Sequence, residues 1–192
     1  MKRLLIPFAG LLASCSLPAD EAPADTPSYV DEAPLPEGWP QPGPYNEVAE
    51  KHYPAYRAAF TGGKGERGSF WTLFRHIKKN DIPMTAPVEM PMADRDGQLD
   101  EVGMGFLYQN TSVDPKEVDA GKVEIRDVAA ARVLSYAWQG SDSKKNVAAA
   151  RSALEAELEK RGVEGAEFRI LGYNGPGTPR AKQTWELQAL LD

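Results

Sequence analysis

The sequence predicts an α+β fold in which strands, a helix and further strands follow one another twice. Two observations predict it. Helical apolar stripes occur in residues 69–80 and again in 144–161, and segments with the two-residue period of strands lie before and after each of them. The repeat is one of pattern alone, because the two halves share no visible sequence identity. A chain of 192 residues has room for one such domain and an appendage.

The first helix is predicted from an apolar stripe at positions i, i+3, i+4 and i+7. The stripe consists of Phe70, Leu73, Phe74 and Ile77. Ser69 is the expected N-cap, and Lys78 and Lys79 fall in the last turn, where cations interact favourably with the helix dipole. This pattern directs a single apolar face toward the core.

Proline excludes a helix from the stretch that follows. Prolines at every fourth position of residues 83–91 each remove a backbone donor and favour extended geometry in the preceding residue. The alternation of apolar residues at 88–92 predicts an edge or bulged strand. A turn at 93–98 then leads to a strand at 101–108, whose expected partner is 88–92.

The remaining elements follow from the same criteria. Residues 47–61 are expected to be extended, with Pro54 marking an edge or a bulge. The second helix spans 144–161, with capping residues before it and its end at Gly162. Further strands are predicted at 123–128, 132–138, 167–173 and 183–191.

The N-terminus carries the pattern of a bacterial lipoprotein signal. Residues 1–14 combine two basic residues with an apolar run that is too short to span a bilayer. The sequence LASC at 12–15 resembles a lipobox, which implies cleavage before Cys15 and lipid attachment to Cys15. An ordinary signal peptide, cleaved elsewhere, is the alternative. Ser16 is not the Asp associated with inner-membrane retention, so we expect a lipid anchor in the outer membrane of the cell envelope, facing the periplasm.

A tether is expected at residues 15–44. Residues 16–44 contain eight of the sixteen prolines, with Ala, Glu and Asp between them. Such a composition buries too little apolar surface to offset the entropy of ordering. Trp39 is the exception and is a candidate for docking on the domain, which is predicted to span residues 45–192.

Three segments, in this order, resemble motifs of the SOUL haem-binding family. They are IPMTAPV at 82–88, VEIRDV at 123–128, and GYNGPGTP at 172–179 before a strand with Trp185-Glu186-Leu187. The resemblance covers about residues 47–191. It implies a distorted antiparallel β-barrel of two pseudo-repeated halves flanked by two α-helices, similar to the ligand-binding domain of multidrug-responsive regulators. It also implies haem or a related tetrapyrrole as the bound cofactor.

The resemblance also points to site residues in the first half of the chain. His52 precedes Tyr53 at the place where some family members carry a histidine proposed as the axial ligand of haem iron. Other members are thought to hold the tetrapyrrole by apolar contacts alone. A thioether such as that of Met84 can also ligate haem iron, and an arginine such as Arg57 can meet a propionate. The candidate cofactor-binding residues are His52 as the metal ligand, Tyr53, Arg57, Phe74 of the apolar stripe, His76 at its flank, and Met84.

Each of these residues also has an ordinary structural explanation. His52 fits an exposed strand position, and His76 fits an interface at the edge of a helix. Methionines that alternate along a strand fit core packing, and Arg57 fits a solvated charge. Two other functions therefore stay open beside a non-catalytic haem carrier or buffer. They are a binding module for another planar or amphiphilic molecule, and a structural or interaction lipoprotein.

Other classes of function find little support. Two histidines exclude a three-His zinc site, and neither G-x-S-x-G nor H-E-x-x-H occurs. No catalytic residue is predicted. The G-x-G-x-x-G at 63–68 lacks the buried strand that a dinucleotide site requires before it, so a glycine turn explains it better. A net charge of −6 argues against nucleic acid as a partner.

Overall fold

The structure, a computed structural model, describes residues 27–62 and 68–191. Its two helices are α1 (Ser69–Lys79) and α2 (Lys144–Arg161). Its strands are β1 (Val48–Tyr53), β2 (Tyr56–Gly62), β3 (Val88–Arg95), β4 (Gln98–Glu101), β5 (Gly103–Leu107), β6 (Glu124–Val128), β7 (Ala131–Gln139), β8 (Phe168–Gly172) and β9 (Thr184–Leu191).

The nine strands that the described residues form make one antiparallel sheet that curls into a half-barrel, with the two helices beside it. The strand order is β1-β7-β9-β8-β3-β5-β2-β6, and β4 pairs with β3 outside this path. The predicted α+β class and the distorted barrel are therefore confirmed. Since β8 joins β3 in the middle of the sheet, the two halves of the chain share one surface rather than forming separate domains.

The second helix agrees with the prediction at both ends. Ser143 caps it by accepting a hydrogen bond from Asn146 N at 3.3 Å, and Gly162 ends it in the left-handed region at φ 66°. Leu154 is completely buried against β7 and β9. The capping residues at the two ends set both bounds here.

The first helix differs from the prediction at its start. Gly68 is the N-cap, and Ser69 is already the first helical residue, buried and without a side-chain capping bond. Thr72 N donates to Gly68 O at 2.8 Å and closes the first turn one residue earlier than expected. Of the glycine motif at 63–68, only Gly68 lies within the described residues.

Strand bounds differ where the chain bends sharply. The sequence Pro54-Ala55 separates β1, which pairs with β7, from β2, which pairs with β5 and β6. The turn expected at 93–98 is wrong in extent. Strand β3 continues to Arg95, and Asp96 and Gly97, both at positive φ, form a two-residue hairpin to β4.

The N-terminal segment (residues 27–44) lies against the sheet rather than extending from it. Trp39 is only 6% exposed and packs with Tyr53, and Leu35 packs on the same cluster. Backbone bonds from Ala86 N to Pro34 O (3.0 Å) and from Glu37 N to Gln109 O (2.8 Å) hold the segment in place. Residues 27–44, the end of the tether predicted at 15–44, therefore pack on the domain, since the apolar side chains among the prolines bury enough surface to order them.

The predicted signal peptide and Cys15 lie outside the described residues. In the part of the chain that the structure does describe, neither helix has the length and apolar character needed to cross a membrane.

Candidate ligand-binding cavity

A cavity of about 900 Å³ lies between α1, the middle of the sheet and the loop after β8. Its volume falls within the range of about 300–1,000 Å³ that is usual for small-molecule sites. The side chains that give it an apolar character are Phe70, Phe74, Met84, Val88, Met90, Met104 and Trp185. The polar remainder comes mainly from the loop residues 174–180 and from Glu32 of the N-terminal segment.

The α1 wall of the cavity is aromatic. Phe70 and Phe74 are stacked, with ring centroids 6.1 Å apart, and Phe70 meets Phe106 edge-on at 5.2 Å. Both residues belong to the predicted stripe, yet they are only partly buried, whereas Leu73 and Ile77 are inaccessible. The stripe is therefore divided between the core and the cavity, which leaves two rings available to a planar ligand.

Strand alternation supplies the floor of the cavity. Val88 and Met90 on β3 line it, and Glu89 between them faces the opposite side of the sheet. On β8, Gly172 lies against the Trp185 ring, and a Cβ added there would come within 2.8 Å of that ring. Glycine at this position lets the indole of Trp185 lie close to the sheet, where it forms part of the lining.

The N-terminal segment fixes the loop on the far side of the cavity. The Glu32 carboxylate accepts hydrogen bonds from Gly175 N (2.7 Å) and from the Thr178 hydroxyl. Asn174 Nδ2 donates to Val30 O at 2.7 Å. The bonds from Thr178 and Gly175 lower the pKa of Glu32, so the carboxylate stays ionised while it holds the loop. Sequence reasoning missed Glu32, because its partners lie far away along the chain.

The structure brings only two of the predicted site residues, Phe74 and Met84, to the cavity. His52 stands on β1 with a side chain 75% exposed, and its nearest charged neighbour is Glu50, with Nε2 and Oε1 3.8 Å apart. Among the described residues that line the cavity, His52 does not occur. An imidazole in water has no apolar surface beside it for a tetrapyrrole, so the structure offers no geometric support for His52 as an iron ligand.

Tyr53 and Arg57 are engaged elsewhere. The Tyr53 hydroxyl donates to the buried Glu186 carboxylate at 2.6 Å, on the face of the sheet away from the cavity. Arg57 binds the Asp127 carboxylate through Nε (2.7 Å) and also pairs with Asp114. Both residues therefore have local partners that account for them without a ligand.

His76 is buried in a polar cluster at the end of α1. Its Nδ1 accepts a long hydrogen bond from Asn80 Nδ2 (3.3 Å), so Nε2 carries the proton and donates to the Tyr108 hydroxyl at 2.8 Å. Asn80 Oδ1 accepts from Glu117 N at 2.8 Å, which fixes the orientation of the amide. Burial lowers the pKa of His76 and favours this neutral form.

This burial gives a prediction about pH. An unfolded histidine titrates near 6.5, whereas the pKa of folded His76 lies lower. Below about pH 6.5 the unfolded chain therefore binds more protons than the folded chain. The free energy of unfolding consequently decreases as the pH is lowered. Urea denaturation from about pH 7.5 to about pH 5.5 covers this titration. Over that range, the free energy of unfolding of His76→Gln is expected to decrease less than that of the wild type. A wild-type slope in His76→Gln would contradict the prediction.

The face of the sheet opposite the cavity holds a buried polar network. Tyr56 donates to Glu89 at 2.6 Å, and Arg169 Nη1 donates to the Tyr56 hydroxyl at 2.8 Å and lies 3.4 Å from Glu89. Arg169 Nε donates to Gln188 at 2.8 Å. The Trp39 ring covers this network, 5.9 Å from the Arg169 guanidinium. The network fixes the residues behind the cavity floor, and sequence reasoning missed it, because its members lie on strands far apart in the chain.

Haem can be tested against the donors that the cavity presents. Its described lining contains three thioethers (Met84, Met90, Met104), two stacked phenyl rings and the cation Arg180, but no histidine. These groups fit a tetrapyrrole held mainly by apolar contacts, with sulfur as the side-chain donor for iron. Elsewhere among the described residues, no group of three or more His, Cys, Asp or Glu side chains could hold a metal ion.

Proteins of known structure share the fold at low sequence identity. The EcmrR C-terminal domain aligns with a TM-score of 0.56 at 16% identity, over 76% of this chain and 97% of that one. A hydrolase from Listeria innocua aligns with a TM-score of 0.54 at 15% identity, over 77% and 92%. An uncharacterized conserved protein from the same organism gives 0.57 at 14%, over 76% and 92%. A comparison with curated proteins finds no match.

The fold and the cavity define a half-barrel protein that can hold a small molecule between one helix and its sheet. The model of the family described as SOUL heme-binding protein matches residues 43–187. This chain belongs to that family, which confirms the resemblance seen in the sequence motifs and supports haem as the cofactor. The hydrolase likeness shows the fold alone.

Proposed function

We propose that this protein binds haem or a related tetrapyrrole in the cavity beside α1 and acts as a carrier or buffer, without catalysis. The observation that carries the proposal is the cavity itself, with its aromatic and thioether lining, in a chain of the SOUL heme-binding family. Planar, largely apolar molecules bind best where rings can stack on them and soft side chains can adapt to their edges.

Different lining residues would hold different parts of the ligand. Phe70 and Phe74 would pack against the ring, Met84 would offer a thioether to the metal, and Arg180 would pair with a propionate. Bound haem would supply an iron that takes axial ligands and changes oxidation state. The chain's own contribution is to exclude water from the ring and to orient it.

The proposed location is the bacterial cell envelope. The signal pattern at 1–14 and the LASC motif support a lipid on Cys15, and Ser16 supports the outer membrane, facing the periplasm. Attached acyl chains contribute about 0.8 kcal/mol per buried CH₂, so several chains hold a protein stably at the surface.

A hemin titration tests the function. The full chain, reconstituted in lipid nanodiscs with empty nanodiscs as the baseline, is expected to give a saturable, red-shifted Soret band at micromolar hemin. Phe74→Ala should weaken hemin affinity by roughly tenfold, because about 1.4 kcal/mol of apolar contact is lost. Met84→Leu keeps the volume and should change the spectrum where the thioether coordinates iron.

His52→Ala is the control for this titration. Its side chain is exposed and lies outside the cavity lining, so affinity and spectrum should equal those of the wild type. A loss of affinity in His52→Ala alone would move the site to β1 and contradict the placement proposed here. An absence of any saturable shift in the wild type would contradict tetrapyrrole binding itself.

A second candidate function is binding of another planar or amphiphilic molecule. Haem carries two propionates, whereas Arg180 is the single cation among the described lining residues. This mismatch favours a ligand with less negative charge. Native mass spectrometry of the chain purified from its own envelope separates the two functions. A co-purified tetrapyrrole supports the first, and a different aromatic or amphiphilic ligand supports the second.

A further inference from the structure

The outer surface of α1 exposes apolar side chains that the core leaves uncovered. Trp71 is 60% exposed and Val118 is 44% exposed, and they are the large hydrophobic residues on the surface of the described chain. Trp71 belongs to α1, and Val118 lines a surface groove together with Thr72 and Arg75 of the same helix. Exposed apolar surface concentrated at one place indicates an interaction site more strongly than scattered residues do.

Two cations accompany Trp71 on the same surface. Arg75 follows it by four residues, and its Nε donates to Trp71 O at 3.2 Å. Lys78 is exposed and lies 5.5 Å from the Phe74 ring. Among the described residues, neither cation forms an ion pair, whereas Lys79 pairs with Glu117. An indole flanked by free cations on one helix face is the side-chain set that favours the headgroup region of a bilayer.

This surface lies next to the helical wall of the cavity. Trp71 packs edge-on against Phe70 (5.5 Å) and Phe74 (5.8 Å), the two rings that form that wall. A surface that binds Trp71 would therefore lie next to the cavity.

The N-terminal segment, which leads back toward Cys15 in the sequence, borders the same cavity. Val30 and Glu32 bind the loop 174–178, and Glu32 lines the cavity. Because residues 27–44 pack on the domain, only residues 16–26 separate Cys15 from the described structure. A fully extended stretch of that length spans about 40 Å at most.

We propose that the exposed face of α1, formed by Trp71, Arg75 and Lys78, docks on the phospholipid surface to which the chain is anchored. Trp71 enters the interface, and the two cations meet lipid phosphates. The cavity then opens toward the lipid, so that an apolar ligand passes between bilayer and cavity without crossing water. This inference rests on the membrane anchoring in the proposed function.

Fluorescence quenching tests the docking. The full chain is reconstituted in vesicles of phosphatidylethanolamine and phosphatidylglycerol, with and without lipids brominated near the headgroup. Trp71 is one of four tryptophans, and we expect the wild type to be quenched and Trp71→Phe to lose most of that quenching. Trp39→Phe, which removes a buried indole instead, should keep it. Arg75→Gln with Lys78→Gln should reduce quenching with Trp71 still present.

Equal quenching of the wild type and Trp71→Phe overturns the proposal and leaves this face to a protein partner. Hemin titration of the same vesicles separates this outcome from failure of the proposed function. A Soret shift without Trp71 quenching supports haem binding and contradicts the docking. Quenching without a Soret shift supports the docking and contradicts haem as the ligand.

Discussion

Replacing Trp39 with alanine is expected to lower the free energy of unfolding by about 3–5 kcal/mol, the usual cost of deleting a buried tryptophan. The reason is its position in the N-terminal segment, which the composition alone describes as a tether. Trp39 is 6% exposed and meets Tyr53 edge-on at 4.6 Å and Tyr56 at 5.2 Å. Its loss would also open the cover over the buried polar network. Urea denaturation of the full chain measures the change.

Trp71→Ala is the matched control for this prediction. It removes the same side chain from a site that is 60% exposed, and surface substitutions of this kind change stability by about 0.5 kcal/mol or less. Similar small effects for the two variants would show that residues 27–44 contribute little to folding, and that the N-terminal segment is a tether after all.

The fold could be predicted from the sequence where the spacing of apolar residues agrees with the residues that cap or end an element. Helix α2 has a regular apolar stripe, a serine cap and a terminal glycine, and both of its bounds were correct. The start of α1 was wrong because Ser69 has the composition of a cap, whereas backbone geometry assigns that position to Gly68. Composition also failed for the N-terminal segment, since the contacts of Trp39 are made with strands distant in sequence.

The candidate site was predicted only in part, for a related reason. The stripe on α1 identified Phe74, and the proline-rich motif identified Met84, because both are local patterns. His52 is a candidate through the family resemblance, yet its side chain is exposed on β1, because the face of a strand that meets water is set by its pairing within the sheet. Glu32 and Trp185 reach the cavity only through contacts between distant segments, which a single sequence does not reveal.

The alternation of β3 and β9 explains how one sheet serves two purposes. Met90 and Trp185 face the cavity, while their neighbours Glu89 and Glu186 are buried on the other side. Burying charged groups is costly unless each is paired and hydrogen-bonded. The network around Arg169 satisfies this condition for Glu89, and so it holds the strands that form the cavity floor in one register.

Breaking that pair gives the second large effect. Arg169→Met is expected to lower the free energy of unfolding by about 3–5 kcal/mol, because Glu89 would stay buried without its counter-charge. Arg169 is 4% exposed and Glu89 is 6% exposed, so water cannot replace the lost partner. The Tyr56 hydroxyl, which donates to Glu89 and accepts from Arg169, would keep only one of these bonds. Denaturation in urea measures the loss.

The double variant Arg169→Met with Glu89→Gln decides whether the loss comes from the charge. Removing both charges of a buried pair often leaves stability nearly unchanged, whereas removing one does not. The double variant should therefore recover much of the stability that Arg169→Met loses, with a coupling energy well above the ~0.5 kcal/mol of independent sites. If the two substitutions add instead, the cost belongs to the packing of the Arg169 side chain among Trp39 and the tyrosines, and the ion pair does not stabilise the cavity floor.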